Sequence, residues 1–311
     1  MAELQHRPLG ESGLEVSAVA LGSWRTYERM PREDGIAVMT AAREAGIDFL
    51  DDARYDDETG EAPIPTGYSE VVFGELFRAS GWKRDEVVIS NKLWWEFWPE
   101  QSAAEEIDGS LGRMRLHHLD LVYSERPPEG LPVSDVVEAV TTLIAVGKAR
   151  AWGLLNWEPE QVVEAGRVAR AEGIPLPCAV QLPYSLVSRS RVEDATMVAA
   201  LESLAASVVA SAVLAFGALT GRGRTGRAGK VPDDPFWRTA FDVGDRLRYL
   251  AAELDTSAVR LAIAFALSNP RVATVLFGAS RPDQVRENVG ALELLGRLTE
   301  PELDELRRLG A

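Results

Sequence analysis

The sequence predicts an α/β fold, a (β/α)8 barrel of the TIM type, formed as a single domain over residues 1–311. Three observations predict it. Eight short apolar runs rich in β-branched residues recur along the chain, helix-period segments separate them, and the turn after the first run lacks a glycine fingerprint. Each run is too short for a helix and too continuous for a strand with one wet face, so it reads as a strand buried on both sides. Strand then helix, eight times over, is the pattern of a parallel sheet closed on itself. A length of 311 residues accommodates such a barrel, which usually takes about 250.

The runs are 15–21, 46–51, 87–91, 119–124, 151–155, 178–182, 207–214 and 272–277. Amphipathic segments lie between them at 35–45, 101–114, 133–145 and 161–172. In 133–145, Val133, Val136, Val137, Val140 and Ile144 fall at three- and four-residue spacings, with Asp135 and Glu138 between, giving one apolar stripe. The first run leads into Gly22-Ser23-Trp24-Arg25. An open doubly wound sheet would place G-x-G-x-x-G there to hold a dinucleotide. Two stretches break the alternation: 56–67, a long loop after the second strand, and 220–235, rich in glycine and bases, after the seventh. Regular spacing resumes beyond both, so neither reads as a domain linker.

Apolar residues at 46% and charged residues at 26% are ordinary globular values. The 48 acids outnumber the 33 bases, for a net charge of −15; such a surface repels phosphate backbones, and no nucleic-acid partner is expected. A single cysteine, Cys178, fits a reducing cytoplasm. The first residues lack the basic-then-apolar order of a signal peptide, and no uncharged stretch reaches the ~18 residues of a membrane span. A cytoplasmic protein without membrane contact is expected. Of three histidines, His6 is near the N-terminus, and His117 and His118 precede the fourth strand. No metal site follows from them, and no serine has a histidine base at the strand ends.

In such a barrel, reactive groups sit at the C-terminal ends of strands. Reading off those ends gives Asp51, Asp52 and Tyr55, then Lys92, then Glu125 and Arg126. Asn156, Gln181 and Ser211 follow, and the last strand gives Gly278, Ser280 and Arg281. This set suits proton transfer. A tyrosine hydroxyl is a weak acid of pKa about 10, which an adjacent ammonium lowers. A buried lysine needs a carboxylate, which Asp51 can supply. The competing reading is a structural ion pair beside an unrelated tyrosine. Residues 277–281 run straight into a helix, whose free N–H groups favour a phosphate; Ser280 and Arg281 add hydrogen bonds and charge. Arg222, Arg224, Arg227 and Lys230 make 221–230 either a flap over an anion or a solvated loop. Trp94, Trp95, Phe97 and Trp98 are expected to wall the mouth with aromatic surface.

These residues resemble the aldo-keto reductases over essentially the whole chain. Residues 46–53, ending Asp51-Asp52-Ala53, resemble the family's second-strand motif, and Val88-Ile89-Ser90-Asn91-Lys92 its third-strand lysine motif. Residues 151–157 are similar to the fifth-strand pattern, and Gly278-Ala279-Ser280-Arg281-Pro282-Asp283-Gln284 with Glu287-Asn288 to the cofactor signature. The resemblance implies a barrel that binds NADP(H) and passes hydride from the nicotinamide to substrate. It assigns Asn156 and Gln181 to the carboxamide, Ser280 and Arg281 to the 2′-phosphate, and Gln284 and Asn288 to the neighbourhood of the adenine. Ser211 stands where the family usually stacks a tyrosine on the nicotinamide, and the basic loop matches a segment that folds over the pyrophosphate.

The catalytic set departs from the family twice. Asp51 and Lys92 match directly, but the family tyrosine position holds Asp56; Tyr55 comes one residue early, and Tyr68 follows the inserted loop. Tyr55 is taken as the proton donor, with Tyr68 its rival. Glu125 aligns with the family histidine, a swap that resembles the family's steroid double-bond reductases. Burial raises a carboxyl pKa, and a neutral acid can hydrogen-bond a developing oxyanion. The leading expectation is reduction of a small-molecule carbonyl, with C=C reduction of an enone as the alternative. An NADP(H)-binding sensor or subunit and a sugar-isomerising barrel are the remaining ones.

Overall fold

The computed structural model describes residues 4–310, the side chains of Gly226 and Arg227 excepted. Two short strands, β1 (His6–Pro8) and β2 (Glu15–Ser17), pair antiparallel. Eight more follow: β3 (Val19–Gly22), β4 (Phe49–Asp51), β5 (Val88–Leu93), β6 (Leu119–Glu125), β7 (Ala149–Leu155), β8 (Ala179–Pro183), β9 (Ser207–Ser211) and β10 (Val272–Phe277). These eight run parallel and close into a barrel in chain order, with β10 beside β3. The first five helices are α1 (Arg32–Glu44), α2 (Tyr68–Ala79), α3 (Ala103–Met114), α4 (Val133–Ala145) and α5 (Pro159–Glu172). Then come α6 (Ser190–Glu193), α7 (Ala195–Leu204), α8 (Pro235–Glu253), α9 (Ala258–Ser268), α10 (Pro282–Arg297) and α11 (Glu300–Leu309). The predicted (β/α)8 barrel is the fold observed.

The predicted first strand, 15–21, is two strands. Asp48 accepts the Ser17 N–H at 2.7 Å and returns its own N–H to Ser17 Oγ at 3.1 Å, while the Ser17 hydroxyl donates to the Val19 carbonyl at 2.8 Å. Those bonds divert the backbone at Ala18, so β1 and β2 form a hairpin apart from the barrel. Leu9, Leu14 and Val16 from this hairpin pack with Phe49, Leu121 and Tyr123 in one buried cluster inside the sheet. Gly10, at φ +52°, allows that approach: a Cβ there would lie 2.5 Å from the Cys178 carbonyl oxygen.

Other bounds shift for local reasons. The second barrel strand begins at Phe49 rather than 46, and the seventh ends at Ser211 rather than 214. Beyond Ser211 the chain turns through left-handed conformations at Ala212, Ala215 and Phe216, with φ of 52°, 44° and 54°. Helix α3 starts at Ala103 because Ser102 and Glu105 close a capping box; α5 starts early, with Pro159 in its first turn. Helix α4 has the predicted bounds, but its buried stripe is Val136, Val137, Val140 and Leu143, with Val133 and Ile144 only half-buried. Among the described residues no helix is long and apolar enough to cross a membrane.

Parallel register brings the strand ends to one rim: Gly22 is level with Asp51, Asp51 with Ser90, and Lys92 with Tyr123. Glu125 is level with Leu155, and Leu155 with Gln181. Beneath the rim, Gly153 makes room for the Tyr123 ring. A Cβ at Gly153 would meet the Ala179 carbonyl oxygen at 2.7 Å and two Tyr123 ring carbons at 2.9 Å. Gly153→Ala should therefore lower stability by about 1–3 kcal/mol, the range for overpacked cores. Chemical denaturation measures it, and a native midpoint would show that the strands can part without cost.

Candidate active site

Asp51 ends β4 and Lys92 lies one residue before the end of β5, both buried. Asp51 Oδ1 receives Lys92 Nζ and Ser90 Oγ, each at 2.5 Å. Lys92 Nζ also donates to the Asp52 carbonyl at 2.9 Å and lies 5.6 Å from the centre of the Tyr123 ring. The ion pair inferred from strand ends is present. Asp52, fully buried, points elsewhere, with its Oδ1 accepting the Ser23 hydroxyl. Burial above all, then the charge of Glu70, pushes its carboxyl well above the ordinary value.

Tyr55 follows three residues after Asp52, and its backbone is pinned at both ends. Its N–H donates to Ser69 Oγ at 3.4 Å, its carbonyl accepts the Gly67 N–H at 2.8 Å, and Ser69 Oγ donates to the Ala53 carbonyl at 2.8 Å. The inserted loop leaves and returns at the same point, closed by an antiparallel bridge between Asp56 and Thr66. Glu58 ties that loop to the segment after β3, accepting Arg25 Nε and Arg29 Nη2 at 2.8 Å each. The insertion is thus folded aside while Tyr55 stays at the rim.

The Tyr55 phenol corrects an expectation. A neighbouring ammonium lowers a phenol pKa, yet burial first, and then the carboxylates of Asp51 and Asp52, push it well above its ordinary value. Lys92 is paired with Asp51, and at the protonated phenol burial and the carboxylates outweigh its ammonium. Tyr68 faces another way. Its hydroxyl accepts Arg32 Nη2 at 2.9 Å, and that guanidinium lies 5.6 Å from its ring centre, placing Tyr68 between α1 and α2.

Glu125 ends β6 and accepts Asn156 Nδ2 at 3.2 Å. Asn156 is left-handed, φ 62°, with its N–H on the Gln181 carbonyl at 3.1 Å and its carbonyl accepting Arg191 Nη2 at 2.8 Å. Burial pushes the Glu125 carboxyl above its ordinary 4.5, against the opposing pull of Arg126, Asn156 and Arg191. The folded state therefore holds this proton more tightly than the unfolded chain does. Stability from this group is present at low pH and is lost as pH rises from 4.5 through the raised value. Glu125→Gln should flatten the decline of stability across that window; urea unfolding at a series of pH values checks it, and an unchanged slope assigns the decline elsewhere.

Gln181 is buried, and its Oε1 has no hydrogen-bond partner among the described residues. A buried acceptor left unpaired is costly, and the amide of a bound ligand would satisfy it. Ser211 ends β9, half-buried. At the other side of the rim, β10 passes through Gly278, where a Cβ would lie 3.1 Å from Thr26 Oγ1, into α10. Gln284 Oε1 accepts Ser280 N–H at 2.7 Å, Ser280 Oγ at 3.2 Å and Arg281 N–H at 3.1 Å, so it shapes the turn before the helix. Arg281 is exposed and paired with Asp283 at 3.1 Å, and Asn288 is buried one turn further on. Arg222 reaches Glu287 of α10 at 3.9 Å; in the same basic loop the Arg227 side chain lies outside the described residues.

The aromatic wall is thinner than expected. Trp94 lies 6.1 Å, centre to centre, from Tyr55. Trp95 turns inward at φ 60°, is buried, and donates Nε1 to Ser124 Oγ at 2.9 Å. Trp98 packs against the outer core, and Phe97 is exposed. Among the described residues no group of three or more His, Cys, Asp or Glu is placed to hold a metal ion.

Sequence reasoning passed over Arg54, Glu106 and Glu58. Glu106 carried a readable signal. Ala103, Glu106, Ile107, Ser110, Leu111 and Met114 form the buried face of α3, and a glutamate on such a stripe demands a buried partner.

Comparison with known proteins now bears on this rim. The profile of the Aldo/keto reductase family matches residues 18–311. The chain belongs to that family. A relative from Oryza sativa subsp. japonica, described as a probable voltage-gated potassium channel subunit beta, is 32% identical, over 97% of this chain and 95% of its own length. One from Arabidopsis thaliana with the same description is 28% identical, over 98% of this chain and 96% of its own. Membership of the Aldo/keto reductase family supports an oxidoreductase. This aldo/keto reductase carries Glu125 at the rim, bonded to Asn156, and a tyrosine pinned ahead of its inserted loop.

Proposed function

We propose that the protein is an NADP(H)-dependent oxidoreductase of the cytoplasm that reduces the carbonyl of a small-molecule aldehyde or ketone. The observation that carries this is the buried Asp51–Lys92 pair with the Tyr55 phenol at the same rim. The residues present fit the dinucleotide: the unpaired Gln181 Oε1 is an acceptor for a carboxamide NH2, Asn156 lies beside it, and Arg281 with Ser280 opens α10. These residues would hold NADPH, which when bound would supply the hydride for the carbonyl carbon. Tyr55 gives its proton to the carbonyl oxygen, and the alkoxide becomes an alcohol. Lys92 offsets the negative charge left on the phenol, and Asp51 holds Lys92 in place. General acid catalysis of this kind contributes about 10²–10⁴-fold. The test is NADPH oxidation by the purified protein over a panel of aldehydes and ketones. A subunit role of the kind the plant relatives' description names predicts no turnover of any of them.

Arg281 is the residue that would read the 2′-phosphate. Arg281→Ala should weaken NADPH by about 1.5–3 kcal/mol, the range for hydrogen bonds to charged groups, and leave NADH nearly unchanged. Fluorescence titration with both dinucleotides measures this; equal losses would remove the assignment.

Glu125 favours a second reading, C=C reduction of an α,β-unsaturated ketone. Its raised carboxyl would donate a hydrogen bond to the enone oxygen and so draw hydride to the β-carbon. Matched enones and saturated ketones decide between the two: faster turnover of the saturated ketone by the native protein excludes this reading.

A further inference from the structure

Arg54 precedes Tyr55 directly and is almost wholly buried. Its guanidinium lies 2.8 Å from Glu96 Oε2, 3.5 Å from Glu106 Oε1 and 5.1 Å from the centre of the Phe97 ring. Glu106, buried on α3, uses the same carboxylate to accept two backbone N–H groups, Trp94 at 2.9 Å and Trp95 at 3.3 Å. Trp94 is the ring beside Tyr55. From Trp95 the contacts continue through Nε1 to Ser124 Oγ, and from that hydroxyl to the Glu125 carbonyl at 2.9 Å. One chain of contacts thus joins the segment that carries Tyr55 to the end of β6 at Glu125.

We propose that Arg54 and Glu106 form a positioning pair that holds the Tyr55 hydroxyl in reach of the substrate oxygen. The proposal rests on the reading of Tyr55 as proton donor. A buried arginine and glutamate are an expensive way to fill this space, since apolar residues of similar volume often serve stability as well or better. Geometry gives the pair another use. The planar guanidinium meets two carboxylates and an aromatic face at fixed angles, which a lysine cannot reproduce. Tyr55 comes directly before an inserted loop, and its ring packs on a segment that has left regular strand geometry at Trp95. Arg54 and Glu106 connect those two irregular stretches to the rigid helix α3.

The test is a double-mutant cycle assayed with NADPH and an aromatic aldehyde such as 4-nitrobenzaldehyde. Arg54→Met is expected to lower kcat by about 10–100-fold, the loss a small misplacement of a reacting group brings, with KM and NADPH affinity within about twofold of native. In the Tyr55→Phe background it should cost less than about twofold more, because its effect passes through the phenol. Arg54→Lys should recover only part of kcat. The neutral variant Arg54→Met/Glu106→Gln leaves no unpaired buried charge and gives up one of the two acceptors of the Trp94 and Trp95 N–H groups. It should unfold within about 2–4 °C of the native temperature and keep the loss of kcat of about 10–100-fold. Additive losses in the cycle, or native kcat in that neutral variant, overturn the positioning role alone. Full turnover by Tyr55→Phe overturns the donor reading, and this proposal with it.

Discussion

Lys92→Met is expected to abolish most turnover and to weaken the fold at once. The methionine fills similar space but leaves Asp51 buried with Ser90 Oγ as its remaining hydrogen bond. Breaking a buried ion pair from one side costs about 3–5 kcal/mol, because the surviving charge is uncompensated. Without the ammonium, nothing offsets the charge left on Tyr55 as its proton departs, and kcat/KM should fall by about 10²–10⁴. Stability and chemistry separate in the double variant Lys92→Met/Asp51→Asn. Removing both charges should restore much of the urea midpoint and none of the turnover. A double variant that reduces carbonyls at the native rate would show the pair to be structural.

The strand pattern was legible because every barrel strand is covered on both faces, and continuous apolar runs have no other use at that length. Once the strands are placed, parallel register puts Asp51, Lys92, Glu125 and Gln181 at one end. What stayed hidden depends on distant partners. The break at Ala18 is imposed by Asp48, thirty-one residues along the chain from Ser17. The apolar residues after Ser211 look like more strand, but left-handed backbone at Ala212 ends it. Trp95 and Trp98 read as mouth aromatics, yet the segment after β5 turns both toward the core. The direction of the Tyr55 shift was also hidden, because it depends on which carboxylate already holds the ammonium.

The choice between two tyrosines follows from where their hydroxyls are held. The Tyr68 oxygen is engaged by Arg32 on the helical layer. The Tyr55 phenol lies within the field of Asp51 and Asp52, under Trp94. Tyr55→Phe should therefore cut kcat by about 10²–10⁴, the contribution of a positioned general acid, with NADPH affinity unchanged. Tyr68→Phe should leave kcat within about twofold and lower stability by about 0.5–1.5 kcal/mol, the net worth of one hydrogen bond. Because the phenol is held protonated well above its ordinary pKa, the native enzyme should show no loss of reduction rate through tyrosine ionisation as pH rises toward 10. A fall in rate as pH rises above 4.5 is expected instead from loss of the Glu125 proton, which burial holds above its ordinary value. In Glu125→Gln that fall should vanish while the dependence on Tyr55 persists. A loss on Tyr68→Phe as deep as that on Tyr55→Phe would move the proton donor across the inserted loop.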